Sequence, residues 1–565
     1  MGFMVLLKLK LFLKKYKFIF FFYILIVQFY WYLVRKKHSF SFQLLTVFAV
    51  LKKIIIKIKK KINHKIEKYY IRKIISWNFR QSFLVLTKYA KIKPELSYEI
   101  GNELIIENPY NAKGYALLAA SLRAKPKEGH YDIALHSLSI GNRLIKEGKL
   151  EIGVEFYKCL KNIFPDIFHP YFTLYNLIFE KQKKYRSLTF NQKFKKKIII
   201  ISFSVWGDQY IFLFMNYSIP SMLAKGNIPK IAENRCIQID IFTTLEDKNK
   251  IERHDNFINL KNFCNINFII FPTSLIKSEE YSRNSDELRY MIYGGFHHLS
   301  IERARAYKAD IMCLGPDNVH SNDSLGNYVK FLDEGYPIVL FTAIRGQAEF
   351  LEIEFDKLKN NNGTLEISAN EMVNLSTKFI HHDFLKYIVL SDKVAEWQSQ
   401  FFIPNKKGFY IRGFHLHPVV ISSQVIKKQI DWDFSTADNT MIHTLFPYKK
   451  NWEKFKVICD SSEGIMIDMT YKQSGTKNSK VNIDENYLNK ISNSFNNNHL
   501  WNFRHQIYYN TNKKIENISS FILDKNGNLN LVSYKISMKS KKVKKIIIDW
   551  YKKRDSNENN FIKPN

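Results

Sequence analysis

From Lys197 to Thr342 the sequence repeats one alternation: a short, continuous apolar run, a break, then helical periodicity. Lys197-Ile-Ile-Ile-Ile-Ser-Phe-Ser, Asn267 to Phe271, Asp310 to Leu314 and Pro337 to Thr342 are mostly apolar, and Ile237 to Thr244 reads as a further strand. Runs of that length and composition read as strands covered on both faces. Between them Tyr210 to Leu223, Ile301 to Lys308 and Leu325 to Glu334 place apolar residues at helical spacing, and a further helical stretch runs from Ser368 to Lys386. Such alternation predicts an α/β fold, a mainly parallel sheet with helices on both faces, over residues 196–470.

The fourth run carries the chemistry. Ala309 to Ser324 reads Ala-Asp-Ile-Met-Cys-Leu-Gly-Pro-Asp-Asn-Val-His-Ser-Asn-Asp-Ser, so the ladder breaks at Gly315 and Pro316. Asp317, Asn318, His320 and Asp323 then leave the strand at its carboxyl end, where open α/β sheets bind ligands. A carboxylate there can hold a divalent cation, and the cation a diphosphate. Asp and Asn also make turns, so the flanking sequence has to decide between the two readings. Further on, Tyr410-Ile-Arg-Gly-Phe-His-Leu-His-Pro is predicted as a strand, which puts His415 and His417 on one face. Asp431, Asp433, Asp438 and Asn439 follow, with Ser435 and Thr436 available as helix caps before Thr440-Met-Ile-His. Val457-Ile-Cys is another apolar run that ends in acid, at Asp460-Ser-Ser-Glu.

The formal charge of +34 calls for an anionic partner, and its location narrows the choice. Residues 1–75 hold eighteen Lys and Arg against Glu67 alone, about half of the excess, beside the most apolar stretch of the chain. Phe18 to Val34 has only Gln28 as a strongly polar residue and is near the lower length limit for a membrane span. Phe40 to Leu51 followed by Lys52 to Lys61 reads as an interfacial segment on anionic lipid. Residues 1–75 are therefore expected to attach to a membrane, as a single-pass anchor or a surface segment. Lys541 to Arg554 is a second basic amphipathic stretch suited to the same surface. Basic residues beside apolar runs, rather than along an aromatic-lined groove, argue against nucleic acid.

Residues 76–187 show helical periodicity with short breaks. Pro109 and Pro165 are each followed six residues later by Tyr115 and Tyr171, and Tyr131-Asp-Ile-Ala-Leu-His-Ser-Leu buries one face. The pattern resembles tetratricopeptide-type helical pairs with the register broken around Lys125 to Gly129. Such a region would dock a protein partner or act as a spacer. Beyond Tyr471 the composition becomes polar and Asn-rich, and 471–565 is expected to be a basic extension. The five cysteines stand singly, as core residues of a reducing compartment do. The chain lacks a phosphate loop, a dinucleotide-binding glycine turn, a His-Glu-x-x-His helix and a nucleophile elbow, which weighs against the enzymes that depend on them.

In the order of its elements, Lys196 to Asp468 resembles a GT-A-type nucleotide-sugar glycosyltransferase. Phe203 to Asp208 match that family's first loop, Thr243-Thr244 the exit of its second strand, and Leu314-Gly-Pro-Asp-Asn its acidic motif. Position 315 is glycine where the family has a first aspartate. The resemblance implies a nucleotide-sugar donor held by Trp206, Asp208, Thr243, Asp317, Asn318 and Arg303, the last placed near the diphosphate. It also implies a divalent cation, Mn²⁺ or Mg²⁺, on Asp317, which water can complete because Mg²⁺ keeps several waters. His415 or His417 would finish a manganese site. Alternatively Arg303 and Arg345 neutralise the diphosphate without metal. For an inverting transfer Asp438, then Asp433, is the expected base toward the acceptor hydroxyl, with Asp460 and Glu463 behind them. The expected activity is sugar transfer to a surface polysaccharide, glycolipid or protein at the cytoplasmic membrane face, with a lipid-linked acceptor suited to the N-terminus. The competing expectation is a non-catalytic helical scaffold with a degenerate transferase domain.

Overall fold

The computed structural model describes most of the chain from residue 90 to 561 and a few positions between 64 and 69. Outside the described residues lie 1–63, 70–89, 125–129, 189–195, 279–284, 433–435, 438–440, 472–479, 524–528, 562–565 and some single positions. The apolar run from Phe18 to Val34 is therefore outside them. Among the described residues no helix is long and apolar enough to cross a membrane.

The chain divides into two compact units, 1–135 and 136–565. In the first, the helix Pro94–Glu107 buries Leu96, Ile100 and Leu104, one row at i, i+4, i+8. It meets the helix Ala112–Ala124 where two glycines face each other: a Cβ on Gly101 would lie 2.9 Å from the Gly114 carbonyl oxygen.

In the second unit the helices Leu150–Leu160 and Pro165–Ser187 join through stacked rings, with Tyr157 and Tyr175 4.8 Å apart. Pro165–Ser187 then lies on the helix Ser285–Tyr307. Ile178 fills the gap left at Gly295, where a Cβ would come within 2.3 Å of its Cδ1. Residues 150–187 are thus helical and packed onto the α/β body. Periodicity sees an apolar face but not what covers it.

The strands of the α/β body are, in chain order, β1 (Lys197–Ser204), β2 (Arg235–Thr243), β3 (Cys264–Ile270), β4 (Asp310–Leu314), β5 (Asn318–His320) and β6 (Ile338–Leu340). There follow β7 (Ala343–Gln347), β8 (Lys393–Ala395), β9 (Gln400–Asn405), β10 (Gly408–Gly413), β11 (Val419–Ile421), β12 (Lys456–Val457) and β13 (Met466–Thr470). Seven of them form one sheet in the order β12-β6-β11-β4-β1-β2-β3. All its pairings are parallel except those of β11, which runs against β4 and β6. Alternate residues of β1 enter opposite cores: Ile198 and Ile200 one, Ile199, Ile201 and Phe203 the other. Both faces are covered, as the unbroken apolar runs require.

Past the carboxyl ends of this sheet stands a second one. Strands β5, β13 and β7 pair in that order, β13 antiparallel to β5 and parallel to β7. Each of the three follows a strand of the main sheet (β4, β12 and β6), so the small sheet continues the large one beyond its edge.

The polar region after Tyr471 does not stand apart as an extension. Strand β14 (Lys480–Asn482) pairs with β8, β15 (Ile507–Asn510) pairs with β10, and β16 (Asn517–Leu523) and β17 (Leu529–Lys535) form a hairpin. Its apolar residues are sparse but placed on one face, and Ile483, Leu488, Ile491, Phe503 and Val543 complete a core with Phe401 and Tyr410. The join of β10 to β15 depends on Gly408, at φ +139°, whose Cβ would sit 2.0 Å from the Tyr509 carbonyl oxygen. Gly408→Ala is expected to cost about 2–4 kcal/mol through backbone strain and overpacking. A denaturant midpoint unchanged from the parent would contradict this.

Candidate functional site

Strand β1 is flanked by β2 on one side and β4 on the other, so the chain winds outward in two directions from this pair. At such a divergence the loops beyond the carboxyl ends separate and leave a crevice. Phe203 pairs with Leu314, so Val205 to Asp208 and Gly315 to Asp317 leave the sheet side by side.

Gly207, at φ +80°, turns the first loop and donates its N–H to the Asp247 carboxylate at 3.1 Å. Asp208 is exposed and held by Lys250 at 2.7 Å. That ion pair is the largest of the influences raising the Lys250 ammonium above its usual range. Trp206 is nearly buried among Tyr293, Phe271 and Phe296, with ring centroids at 5.2, 5.5 and 6.2 Å. Thr243 ends β2 beside it, and its buried hydroxyl has no hydrogen-bond partner among the described residues. Thr244 caps the following helix through the Asp247 N–H.

On the β4 side of this divergence the acidic motif acquires a partner that its own spacing does not contain. Asn318 opens β5 opposite Asp468 of β13, and Asp468 lies opposite Arg345 of β7. Asn318 bridges the two segments: its Oδ1 accepts the Gly315 N–H and its Nδ2 donates to Asp468 Oδ1, both at 2.6 Å. The Asp317 carbonyl accepts the Met469 N–H at 2.9 Å. Burial pushes both carboxyls up, Asp317 to about 6 and Asp468 to about 7. Asp317 further raises Asp468, and the Arg345 guanidinium pulls both back. Each keeps part of its surface in contact with solvent. Two carboxyls that share a site titrate as a pair, and here the second comes from a strand about 150 positions further along the chain.

The structure places other sequence-predicted residues elsewhere. Arg303 is not at the sheet edge. It is buried and paired with Asp240, in the middle of β2 opposite Ser202 of β1. A helix position gives the face of the sheet a side chain meets but not the height along the strand, and Arg345 is the cation near the acidic pair.

His415 and His417 do not share a strand face, because β10 ends at Gly413 and the two rings diverge. His415 lies against His499 with ring centroids 4.2 Å apart, whereas His417 is exposed with His297 at 6.1 Å. Since Val419 pairs with Cys313, His417 enters β11 at the edge where Gly315 leaves β4; His415 is turned away. Asp433 and Asp438 lie outside the described residues. Their neighbours are fixed: the Ile430 N–H donates to Glu302 at 3.0 Å, the Ala437 N–H to His297 Nδ1 at 3.3 Å, and Trp432 packs on Tyr175 at 5.1 Å. Glu463 is engaged by Lys456 and the Cys459 N–H, and Asp460 closes a turn on Ser462.

His381, His382 and Asp383 also lie close together. However, His381 Nδ1 accepts the Asp383 N–H and its Nε2 is 3.1 Å from the Tyr471 carbonyl. With both ring nitrogens engaged, this trio has too few free lone pairs to be a metal centre.

No family model matches the chain, and no curated protein matches it.

Proposed function

We propose that the chain is a GT-A-type glycosyltransferase that moves a sugar from a nucleotide-diphosphate donor to a polysaccharide, glycolipid or protein acceptor at the cytoplasmic face of a membrane. The observation that carries this reading is the Asp317–Asp468 pair beside Asn318 and Arg345, at the divergence of β1 and β4.

The donor set fits a hard divalent cation: two carboxylates that burial makes reluctant to ionise alone, so a cation gains by replacing their protons. When bound, Mn²⁺ or Mg²⁺ on Asp317 and Asp468 would offset the charge of the leaving diphosphate. His417, at the same edge, is the histidine that supports a manganese reading. The chain's own groups do the rest. Asn318 holds Asp468 in place, Arg345 adds a positive charge over the diphosphate, and the Trp206 cluster offers an apolar wall for the base. Asp438 and Asp433 remain the proposed bases toward the acceptor hydroxyl. The competing reading, a helical-repeat scaffold with a degenerate transferase domain, predicts that folded protein binds no nucleotide sugar.

Titration of the full chain with UDP- and GDP-sugars by calorimetry, with and without Mn²⁺, tests the proposal. Cation-dependent binding of one of these donors is expected. If folded protein binds none of them, the reading fails.

A further inference from the structure

The helix Met538–Phe561 has two unlike sides. Val543, Ile547 and Trp550 are buried in one core with Phe401, Tyr410 and Phe503. That apolar side, which the sequence offers to a membrane, is consumed by the fold. The other side carries Lys541, Lys542, Lys545 and Lys552, all exposed and without an ion-pair partner among the described residues. Lys553 continues the row, 3.0 Å from Glu485. At 100° per residue the five ammonium groups fall within an arc of about 120°, along roughly 18 Å of helix. Asp549 is the one carboxylate on that arc.

We propose that this face binds the anionic headgroups of a phospholipid bilayer, the helix lying along the surface without entering it. Interfacial helices ordinarily insert an apolar face; here that face is unavailable, so the attraction is electrostatic and short-ranged in salt. A polynucleotide fits less well. The aromatic rings of the segment are turned inward, Trp550 into the core and Tyr551 onto Arg412 at 5.2 Å, leaving none on the lysine face to stack with bases. The apolar run from Phe18 to Val34 with its flanking lysines also favours a bilayer. The inference is independent of the sugar-transfer reading.

Lysine acylation footprinting of the full chain, reconstituted with phosphatidylcholine alone or with equimolar phosphatidylcholine and phosphatidylglycerol, reads the contact locally. Lys541, Lys542, Lys545 and Lys552 are expected to lose reactivity severalfold in the anionic vesicles alone and to recover it at about 0.5 M salt. Lys230 and Lys330, on other elements, serve as internal controls. The full-length variant Lys541→Glu/Lys542→Glu/Lys545→Glu/Lys552→Glu, with an unchanged thermal midpoint, should lose at least about tenfold of the salt-sensitive vesicle affinity. Equal reactivity in both vesicle types would overturn the proposal. Equal protection by a single-stranded RNA added to the neutral vesicles would overturn the lipid assignment.

Discussion

Exchanging Asp468 for asparagine is expected to lower the proposed sugar transfer by about two to three orders of magnitude, since a cation bound there would supply several kcal/mol of charge stabilisation to phosphate chemistry. The same exchange should not weaken the fold. Both carboxyls titrate above their ordinary range because they are buried together. A raised folded-state pKa means that the stabilising protons are fully bound below about pH 4 and are lost as the pH rises toward about 7. The parent protein should therefore lose stability across that window, whereas Asp468→Asn should lose less. The stability of the variant relative to the parent is expected to rise by about 1–2 kcal/mol between pH 5 and pH 8, a figure reduced for solvent contact. Mn²⁺ should stabilise the parent more at pH 8 than at pH 5, because protons compete for its ligands. Thermal midpoints against pH for both proteins, with and without Mn²⁺, decide the matter. Identical pH slopes would mean that the two carboxyls do not share a site.

Arg303→Ala should have the opposite signature. Removing one partner of a buried ion pair strands the other charge, and Asp240 would be left beside Ser202 and Asn267 within the sheet, so a loss of about 3–5 kcal/mol is expected. The proposed donor binding, measured on the molecules that remain folded, should be unchanged. Replacing the pair together, Arg303→Met with Asp240→Leu, should recover most of the loss, as apolar substitutes for buried pairs often do. Urea unfolding of the three proteins, with nucleotide-sugar titration of each, separates this structural role from a diphosphate-binding one. A single variant that stays stable but binds donor weakly would restore the sequence-based role.

The contrast between these residues shows what the sequence made legible. The main sheet was readable because strands such as β1 and β4 are covered on both faces and therefore give four consecutive apolar residues, Ile198 to Ile201 and Ile311 to Leu314. The acidic end of β4 was readable for the same reason. Asp468 was not, because Met466-Ile-Asp-Met-Thr resembles any half-buried strand, and its meaning lies in pairing with β5 and β7. The histidines were misjudged by extending β10 past Gly413, where the chain leaves its partner β9. The region after residue 471 was underestimated because its core residues are few, although each sits where a helix or strand turns inward.

The hydrogen bond from Asn318 to Asp468 spans 150 positions of the chain. During synthesis the first half of the crevice emerges long before the second. A nascent or clipped polypeptide that stops short of β13 would carry Asp317 without its partner carboxyl and Asn318 without its acceptor. On the proposed function, competence is thereby tied to completion, and prematurely terminated copies would be inert rather than half-active competitors for a donor.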